Sequence, residues 1–327
     1  MSRTEQESLI GESPAFLNCL EQASRIAQID RPVLVVGERG TGKELIAARI
    51  HYLSHRWDGP FVKLNCAAIN ENLLESELFG HESGAFTGAQ KRHVGRFERA
   101  HGGTLFLDEL ATSTSAVQEK LLRVIEYGEF ERVGGKEVIQ VNVRVIAATN
   151  EDLPSLVEQG RFRADLLDRL AFEVITLPPL RHRQEDIPLL ANHFAEKLCK
   201  DLDLGEFAGF SNRAMKTLCG YHWPGNVREL KNVVERAVFQ NLSERKIDSI
   251  VLNPFDSPYR PQTENTTAKQ EIRFPLSLKT HIEHEEVRLV KAALAAAQYN
   301  QKKAAELLSL TYDQLRGYIR KYKILQS

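Results

Sequence analysis

The feature that most constrains how this chain can fold is a glycine-rich loop between an apolar run and a helix-forming segment. The run Val33-Leu34-Val35-Val36 is followed directly by the loop Gly37-Glu38-Arg39-Gly40-Thr41-Gly42-Lys43-Glu44. Between a strand and a helix, the backbone N–H groups of such a loop can surround phosphates while a lysine neutralises their charge. The loop therefore predicts nucleotide binding. Its glycines lack the G-x-G-x-x-G spacing, so a dinucleotide fold is the weaker alternative.

A pair of carboxylates completes this predicted nucleotide site. Glu44 stands where phosphate-binding loops usually place a Ser or Thr that contacts magnesium, so metal contact must rest on another acid or on water. The apolar run Thr104-Leu105-Phe106-Leu107 ends in Asp108 and Glu109. We expect Asp108 to hold Mg²⁺ and Glu109 to polarise the water that attacks ATP. A glycine-rich turn and an acidic strand end without catalytic roles are the alternative for each piece alone.

Other polar residues follow the same pattern with less specificity. Thr149 and Asn150 end the apolar run at 143–148, where they can sense a γ-phosphate or simply form a turn. Arg163 and Arg169 can contact phosphate, or they can pair with Asp165 and Asp168 on an exposed helix, where each pair contributes little. Residue spacing leaves both alternatives open.

The order of the apolar segments predicts an α/β fold with a parallel sheet, followed by smaller helical parts. Short apolar runs alternate with helical patterns at 44–53 and 116–127, which is typical of βαβ units. Helical patterns at 186–202, 211–220 and 227–241 indicate a small helical subdomain. We therefore predict an ATPase α/β subdomain at 1–174, a helical subdomain at 175–251, a proline-containing linker at 252–279 and a helix-turn-helix domain at 280–327.

Composition excludes several other classes of protein. The formal net charge is −1, from 43 basic and 44 acidic residues, so any basic surface must be local. The four cysteines form no C-x-x-C pair, which argues against a zinc site or a disulfide framework. The chain has no apolar run near the roughly 20 residues that a membrane helix needs. We therefore expect a cytoplasmic protein without a membrane span.

The C-terminal segment has the pattern of a DNA-binding helix pair. A short amphipathic helix at 301–308 is followed by the turn Ser309-Leu310 and by a second helix at 311–321, which Thr311 can cap. Basic residues outnumber acidic ones here, which fits contact with the phosphates of double-stranded DNA, although a plain dimerisation module has the same pattern. The candidate DNA-binding residues are Lys302, Lys303, Thr311, Tyr312, Gln314, Arg316, Arg320 and Lys321.

A further motif links these features to a known family. The hexapeptide Gly84-Ala85-Phe86-Thr87-Gly88-Ala89, here called the signature loop, follows Glu77-Leu78-Phe79-Gly80-His81. With the stretch Trp223-Pro224-Gly225-Asn226-Val227-Arg228-Glu229-Leu230, it makes residues 9–324 resemble the sigma-54-dependent activators, which are AAA+ ring ATPases with a Fis-like DNA-binding domain. Phe86 offers an aromatic contact between two glycines, although it can also pack into the local core.

The resemblance implies roles for individual residues. The signature loop would engage sigma-54 in the RNA polymerase holoenzyme, and Glu44 is usual in this family. Asn65 would restrain Glu109 until a target is engaged, and Thr149 with Asn150 would form one nucleotide sensor and Arg228 a second. Arg163 or Arg169 would reach the neighbouring subunit's nucleotide, with Arg169 the stronger candidate, in a homo-oligomer that is typically a hexamer.

The resemblance also implies upstream DNA sites and a separate regulator. Family members often carry an N-terminal sensing domain, whereas the ATPase pattern here begins at Leu9-Ile10-Gly11. We therefore expect regulation by a partner or by expression level, and the resemblance implies inhibition in trans by a negative regulator protein. Trp57 is a candidate contact for it, unless this side chain is a half-buried packing residue. Two alternatives remain open: a DNA-binding regulator on a non-hydrolysing ATPase scaffold, and a general AAA+ remodeller.

Overall fold

A computed structural model describes residues 9–241, 246–256, 277–297 and 300–322. The chain divides into two compact units, residues 1–254 and 255–327, and each is considered by itself. The predicted linker at 252–279 falls mainly on residues 257–276, which lie outside the described ranges.

The first unit is built on a parallel sheet whose strands are short and apolar. Its strand order is β2-β3-β6-β1-β7, with a separate β4-β5 hairpin. Buried parallel strands are apolar on both faces, as the fully buried β6 illustrates. The strands are β1 (Val33–Val36), β2 (Phe61–Asn65), β3 (Thr104–Asp108), β4 (Glu129–Glu131), β5 (Val138–Gln140), β6 (Arg144–Thr149) and β7 (Val174–Thr176).

The register of the sheet brings the ends of its strands together. Val36 pairs with Thr149 and with Thr176, and Asn65 pairs with Asp108. The carboxyl ends of β1, β2, β3 and β6, which carry the predicted site residues, therefore meet at one edge. The sheet continues to Thr176, so the predicted subdomain boundary at residue 174 cuts its last strand two residues too early.

Helices cover both faces of this sheet. Alternate side chains of the strands belong to different cores, with Leu105 and Leu107 on one face and Phe106 on the other. The second face is covered by the first two helices, and the others lie over the first face or at its rim. They are α1 (Pro14–Ala27), α2 (Lys43–Tyr52), α3 (Glu71–Phe79), α4 (Arg96–Arg99), α5 (Ser115–Tyr127), α6 (Leu153–Glu158) and α7 (Ala164–Leu170).

A helical subdomain with its own core completes the first unit. It consists of α8 (Asp186–Asp201), α9 (Asn212–Gly220) and α10 (Asn226–Gln240), packed around the fully buried Trp223. The three predicted helical segments are thus confirmed within one residue at each end. Ser211 lies outside α9 because its hydroxyl accepts a hydrogen bond from Ala214 N–H, as an N-cap does.

The second unit contains three helices in the part of it that the structure describes. They are α11 (Leu278–Ala296), α12 (Gln301–Leu307) and α13 (Tyr312–Lys321). Leu294, Ala304 and Leu315 form its small core. The Thr311 hydroxyl accepts from Gln314 N–H at the start of α13, and Thr311 N–H donates to Gln314 Oε1, so the predicted cap is confirmed. Among the helices of the described ranges, none has the length and apolar character needed to cross a membrane.

Candidate functional site

The phosphate-binding loop has the backbone that its glycines predict. Gly40 and Gly42 have φ values of +79° and +99°, in the left-handed region that favours glycine. Gly42 is the N-cap of α2, so the N–H groups of the first helical turn face the loop. Thr41 is buried, and its hydroxyl donates to the Glu38 carbonyl at 2.8 Å. The loop thus offers an anion site at a helix N-terminus.

Lys43 places a buried positive charge inside this loop. Its Nζ donates to the carbonyl oxygens of Gly37 at 2.9 Å and Glu38 at 3.4 Å. Burial lowers the pKa of the Lys43 ammonium group, whereas the charges of Glu109 and Asp108 act in the opposite direction. An ammonium group that only carbonyl oxygens contact directly gains from an anion such as a nucleotide phosphate.

The two carboxylates lie where β3 ends, next to this lysine. Asp108 Oδ1 accepts a hydrogen bond from Glu109 N–H at 3.0 Å, and Glu109 has a left-handed φ of +53°. For a residue with a side chain this backbone is costly, and such strain clusters at functional sites. The Glu109 carboxylate lies 3.8 Å from Arg39 Nε of the phosphate-binding loop. Lys43, Asp108 and Glu109 therefore form one site.

Asn65 joins this site through Asp108. Its Nδ2 donates to Asp108 Oδ2 at 3.4 Å, and its Oδ1 accepts from the N–H groups of Ala67 and Ala68. Glu109 faces Arg39 in this arrangement. The restraint of Glu109 by Asn65 thus stays a prediction, and it requires one of the two side chains to change rotamer.

The residues fit a magnesium ion through Asp108. Its carboxylate ends a strand beside the loop, and oxygen ligands of this kind are those Mg²⁺ prefers. Glu44, at the position of the usual hydroxyl ligand, is half-exposed and pairs with Lys63 Nζ at 2.7 Å. Because Glu44 has this other partner, Asp108 is the stronger candidate ligand.

The two predicted nucleotide sensors lie beside the loop. The carbonyl of the buried Thr149 accepts from Gly37 N–H at 3.2 Å, and Asn150 follows directly at the end of β6. Arg228 lies near the start of α10, and its N–H donates to the Gly40 carbonyl at 3.3 Å. The positive charge of Arg228 contributes to the lowered pKa of Lys43, as expected for a neighbouring cation. Both predicted sensors are therefore next to the phosphate-binding loop.

The candidate arginine fingers lie at α7 and have acidic partners within the chain. Arg163, the residue before α7, donates two hydrogen bonds to Asp165, the partner that the sequence suggests. Arg169 pairs with Glu126 of α5, and not with Asp168 as in the ion-pair alternative, because α5 and α7 pack together. Both arginine side chains are more than one-third exposed, so these ion pairs contribute little and are readily exchanged for another anion.

The signature loop is a tight turn with a partly exposed aromatic tip. Gly84 and Gly88 have φ values of +81° and +103°, and Gly84 N–H donates to the Ala89 carbonyl at 2.7 Å. Phe86 is 39% exposed and packs edge-on against His81 at 4.9 Å between ring centroids. It is therefore neither in the core nor fully free. A half-exposed aromatic ring at a loop tip is typical of a protein contact.

A buried arginine holds the segment next to the signature loop in place, and the sequence does not indicate this role. Arg132, next to the β4-β5 hairpin, is 4% exposed and forms ion pairs with Glu98 and Glu82. Glu82 precedes the loop, and Glu82 N–H donates to the Val133 carbonyl at 3.0 Å. A lone arginine in a short hairpin carries no sequence signal, because the two glutamates to which it donates hydrogen bonds lie 34 and 50 residues away.

The candidate DNA-binding residues lie on α12 and α13 of the second unit. Lys302, Lys303, Arg316 and Arg320 are solvent-accessible, and Tyr312 is 40% exposed. Gln314 uses its side-chain oxygen in the α13 cap, and Lys321 lies 3.5 Å from Glu286 of α11. The cap uses one acceptor site of Gln314 and leaves its amide nitrogen for base contact, and DNA contact by the set stays a prediction.

Comparison with protein families covers nearly the whole chain. Residues 9–176 match the sigma-54 interaction domain, and residues 181–270 match the AAA+ ATPase lid domain. Residues 282–322 match the bacterial regulatory protein domain of the Fis family. These segments correspond to the α/β subdomain, the helical subdomain and the three-helix unit.

Individual relatives show the same arrangement. The Psp operon transcriptional activator of Escherichia coli K12 is 58% identical over 98% of this chain and 99% of its own length. The Nif-specific regulatory protein of Azotobacter vinelandii is 46% identical over 95% of this chain and 58% of its own length. Among solved structures, NtrX from Brucella abortus in complex with ATP has a TM-score of 0.70 and 32% identity, over 96% of this chain and 69% of that one. The chain therefore belongs to the family of sigma-54-dependent transcriptional activators, with an AAA+ P-loop NTPase domain and a Fis-type helix-turn-helix.

Proposed function

We propose that the protein hydrolyses ATP with Mg²⁺ and uses the reaction to remodel sigma-54 RNA polymerase. The observation that carries this proposal is the convergence of Lys43, Asp108 and Glu109 at one edge of the sheet. NtrX, a structural relative with the same fold, is known in complex with ATP. The reaction, the metal and the polymerase are thus inferred from this chain's own residues and from its relatives.

In this mechanism each residue has one task. Lys43 neutralises phosphate charge while loop N–H groups orient the phosphates. A magnesium ion held by Asp108 would supply additional charge neutralisation at the phosphates. Glu109 orients the attacking water and accepts its proton, once its contact with Arg39 is loosened.

The proposed outcome of ATP hydrolysis is the opening of promoter DNA. We infer that the cycle at Glu109 moves the signature loop, whose Phe86 tip contacts sigma-54 in the closed complex. The alternative of a non-hydrolysing scaffold is disfavoured by the strained backbone of Glu109, because a scaffold gains nothing from that strain. A general remodeller is disfavoured by the match to the sigma-54 interaction domain.

The target genes are proposed from the Psp operon activator, with which this chain shares 58% identity. We infer control of phage-shock genes, which respond to envelope stress, from DNA sites upstream of their promoters. Mapping the genomic sites that the protein occupies tests this proposal. Sites upstream of sigma-54 promoters of such genes are expected, and sites without downstream sigma-54 promoters would contradict it.

DNA binding is expected to reside in the second compact unit. Removing residues 279–327 should reduce specific DNA affinity at least about 10³-fold, the usual gap between specific and non-specific binding, and leave ATP turnover per subunit within about threefold. The reason is that the ATPase residues lie in the first unit, residues 1–254. Electrophoretic mobility shifts and phosphate release measure the two quantities.

A point substitution refines this prediction. Lys302→Ala should weaken binding similarly for all sequences and reduce the salt dependence by about one phosphate contact. Unchanged upstream binding by the truncated chain would refute the assignment of the tail.

The ring is proposed from the exposed arginines at α7. We infer a homo-oligomer, most simply a hexamer, in which Arg169 reaches the nucleotide of the adjacent subunit. Arg169→Ala and Glu109→Gln subunits are each expected to be inactive alone. When mixed, they should recover part of the turnover, because one kind of interface then joins an intact arginine to an intact glutamate.

The control uses Arg163 in the same mixture. Arg163→Ala replaces Arg169→Ala, so the two experiments decide which arginine acts in trans. Lack of recovery with either variant would favour surface ion pairs, Arg169 with Glu126 and Arg163 with Asp165.

Regulation is proposed to come from a negative regulator protein in the cytoplasm. Trp57 is 63% exposed and is therefore not the half-buried residue of the alternative interpretation. The preceding Arg56 fixes this surface through hydrogen bonds to Asp30 and Asn142. An exposed tryptophan next to such a surface is well suited to anchor a protein partner.

A further inference from the structure

One buried side chain of the helical subdomain contacts the phosphate-binding loop directly. Asn226, the first residue of α10, is fully buried. Its Nδ2 donates to Glu38 Oε2 at 3.1 Å and to the Arg39 carbonyl at 3.0 Å. Its Oδ1 accepts from Leu180 N–H at 2.8 Å. One amide thus joins the loop to two segments of the helical subdomain.

The neighbouring contacts hold the same two parts together. Arg181 donates to both carboxylate oxygens of Glu38, at 2.6 and 2.8 Å. Hydrogen bonds from Arg181 and then Asn226 lower the pKa of the Glu38 carboxyl to about 2, so this group is ionised at neutral pH. A Cβ atom added to Gly40 would lie 2.3 Å from the Gly225 carbonyl, so the two backbones meet closely.

The chemistry of position 226 is unusually specific. Its φ of +52° lies in the left-handed region, where Asn is among the few tolerated residues besides Gly. Among Asn, ionised Asp and Gly, only the Asn amide can donate to a carboxylate and also accept from a backbone N–H. Asp has the same shape, but it would direct an acceptor at the Glu38 carboxylate and the Arg39 carbonyl.

We propose that Asn226 is a positioning residue for nucleotide binding, acting through Glu38 and the loop backbone. It holds the phosphate-binding loop in a fixed position relative to α10, so that Lys43 and Arg228 can contact the phosphates of the same nucleotide. This inference rests on the proposed function, because it concerns the same nucleotide site. It assigns Asn226 no contact with the reacting atoms, which Glu109 and Asp108 serve from β3.

The expected signature is a loss of nucleotide affinity rather than of chemistry. Asn226→Asp should weaken ADP binding and raise the KM for ATP about tenfold, while kcat changes less than about threefold. Such a separation indicates lost ground-state alignment, because the groups that act in the transition state remain in place.

The test compares this variant with a compensating exchange. In Asn226→Asp combined with Glu38→Gln, the donor and acceptor of the contact between positions 38 and 226 trade places, while the contact with the Arg39 carbonyl stays lost, so ADP affinity should return at least half of the way to that of the unsubstituted protein. The matched control is Asn241→Asp, which adds the same charge at the far end of α10, where Asn241 Nδ2 contacts only the Ala237 carbonyl among the described residues. It should leave ADP affinity unchanged.

Isothermal titration with ADP and steady-state phosphate release provide the measurements. Should Asn226→Asp fail to unfold cooperatively, Asn226→Gly replaces it, because glycine accepts the left-handed backbone and removes all three hydrogen bonds. Unchanged ADP affinity, or a double variant no better than Asn226→Asp alone, overturns the inference. Failure of the proposed function is distinct, since the unsubstituted protein would then bind ADP without turning over ATP.

Discussion

Replacing Glu109 by glutamine is expected to reduce ATP turnover by about 10²- to 10⁴-fold, the range that a positioned general base contributes. Glutamine keeps the size of the side chain and its place after β3, but it cannot accept a proton from water. ADP affinity should remain within about threefold, because the phosphates are held by Lys43 and the loop N–H groups. Phosphate release under saturating ATP, together with titration calorimetry, separates the two effects.

Two further variants give this prediction its controls. Glu196→Gln makes the same chemical change on the exposed surface of α8 and should leave turnover unaltered. Lys43→Ala should instead weaken binding itself, because it removes the buried ammonium group from the loop. Turnover by Glu109→Gln above about one-tenth of the original rate would assign the proton acceptor to another group.

The strands that the sequence predicts are the central ones of the sheet. β1, β3 and β6 occupy its middle, and each is a nearly continuous apolar run. The edge strands β2 and β7 were missed, because an edge strand needs fewer apolar residues and Lys63 interrupts the pattern of β2. The β4-β5 hairpin was missed because its strands are only three residues long.

The features of the site also fall into those that the sequence predicts and those that it does not. The first depend on contacts between residues close in the sequence, and the second on contacts between distant residues. The loop at Lys43 and the acidic pair after β3 are short motifs whose function depends on residues adjacent in the sequence. They can therefore be predicted from a single sequence. The link between Asn226 and Glu38 spans 188 positions, and that between Arg181 and Glu38 spans 143. Such pairs depend on how the helical subdomain packs, which residue spacing does not determine. Asn226 lies in the stretch at 223–230 that supports the family resemblance. Its contact with the phosphate-binding loop, however, is visible only in the fold.

A substitution in the signature loop is expected to separate ATP turnover from open-complex formation more strongly than any other change. Phe86→Ala should reduce open-complex formation at a sigma-54 promoter by at least about 30-fold, while ATP turnover stays within about threefold. The loss follows from removing the aromatic tip, since truncating a central aromatic contact commonly costs 2 kcal/mol or more. Turnover is retained because Phe86 contacts His81 and the catalytic pair lies at the end of β3. Promoter melting by purified polymerase and phosphate release measure the two activities.

Exposed phenylalanines elsewhere make this test specific. Phe239, 65% exposed at the end of α10, offers the matched control, and Phe239→Ala should support normal promoter melting. Thr87→Ala, beside the tip, should resemble Phe86→Ala, because both change the same contact surface between Gly84 and Gly88. If Phe86→Ala lost ATP turnover together with promoter melting, we would conclude that the aromatic side chain is needed for the fold or the assembly of the ATPase. If promoters melted normally without it, the energy of hydrolysis would reach the polymerase through another surface.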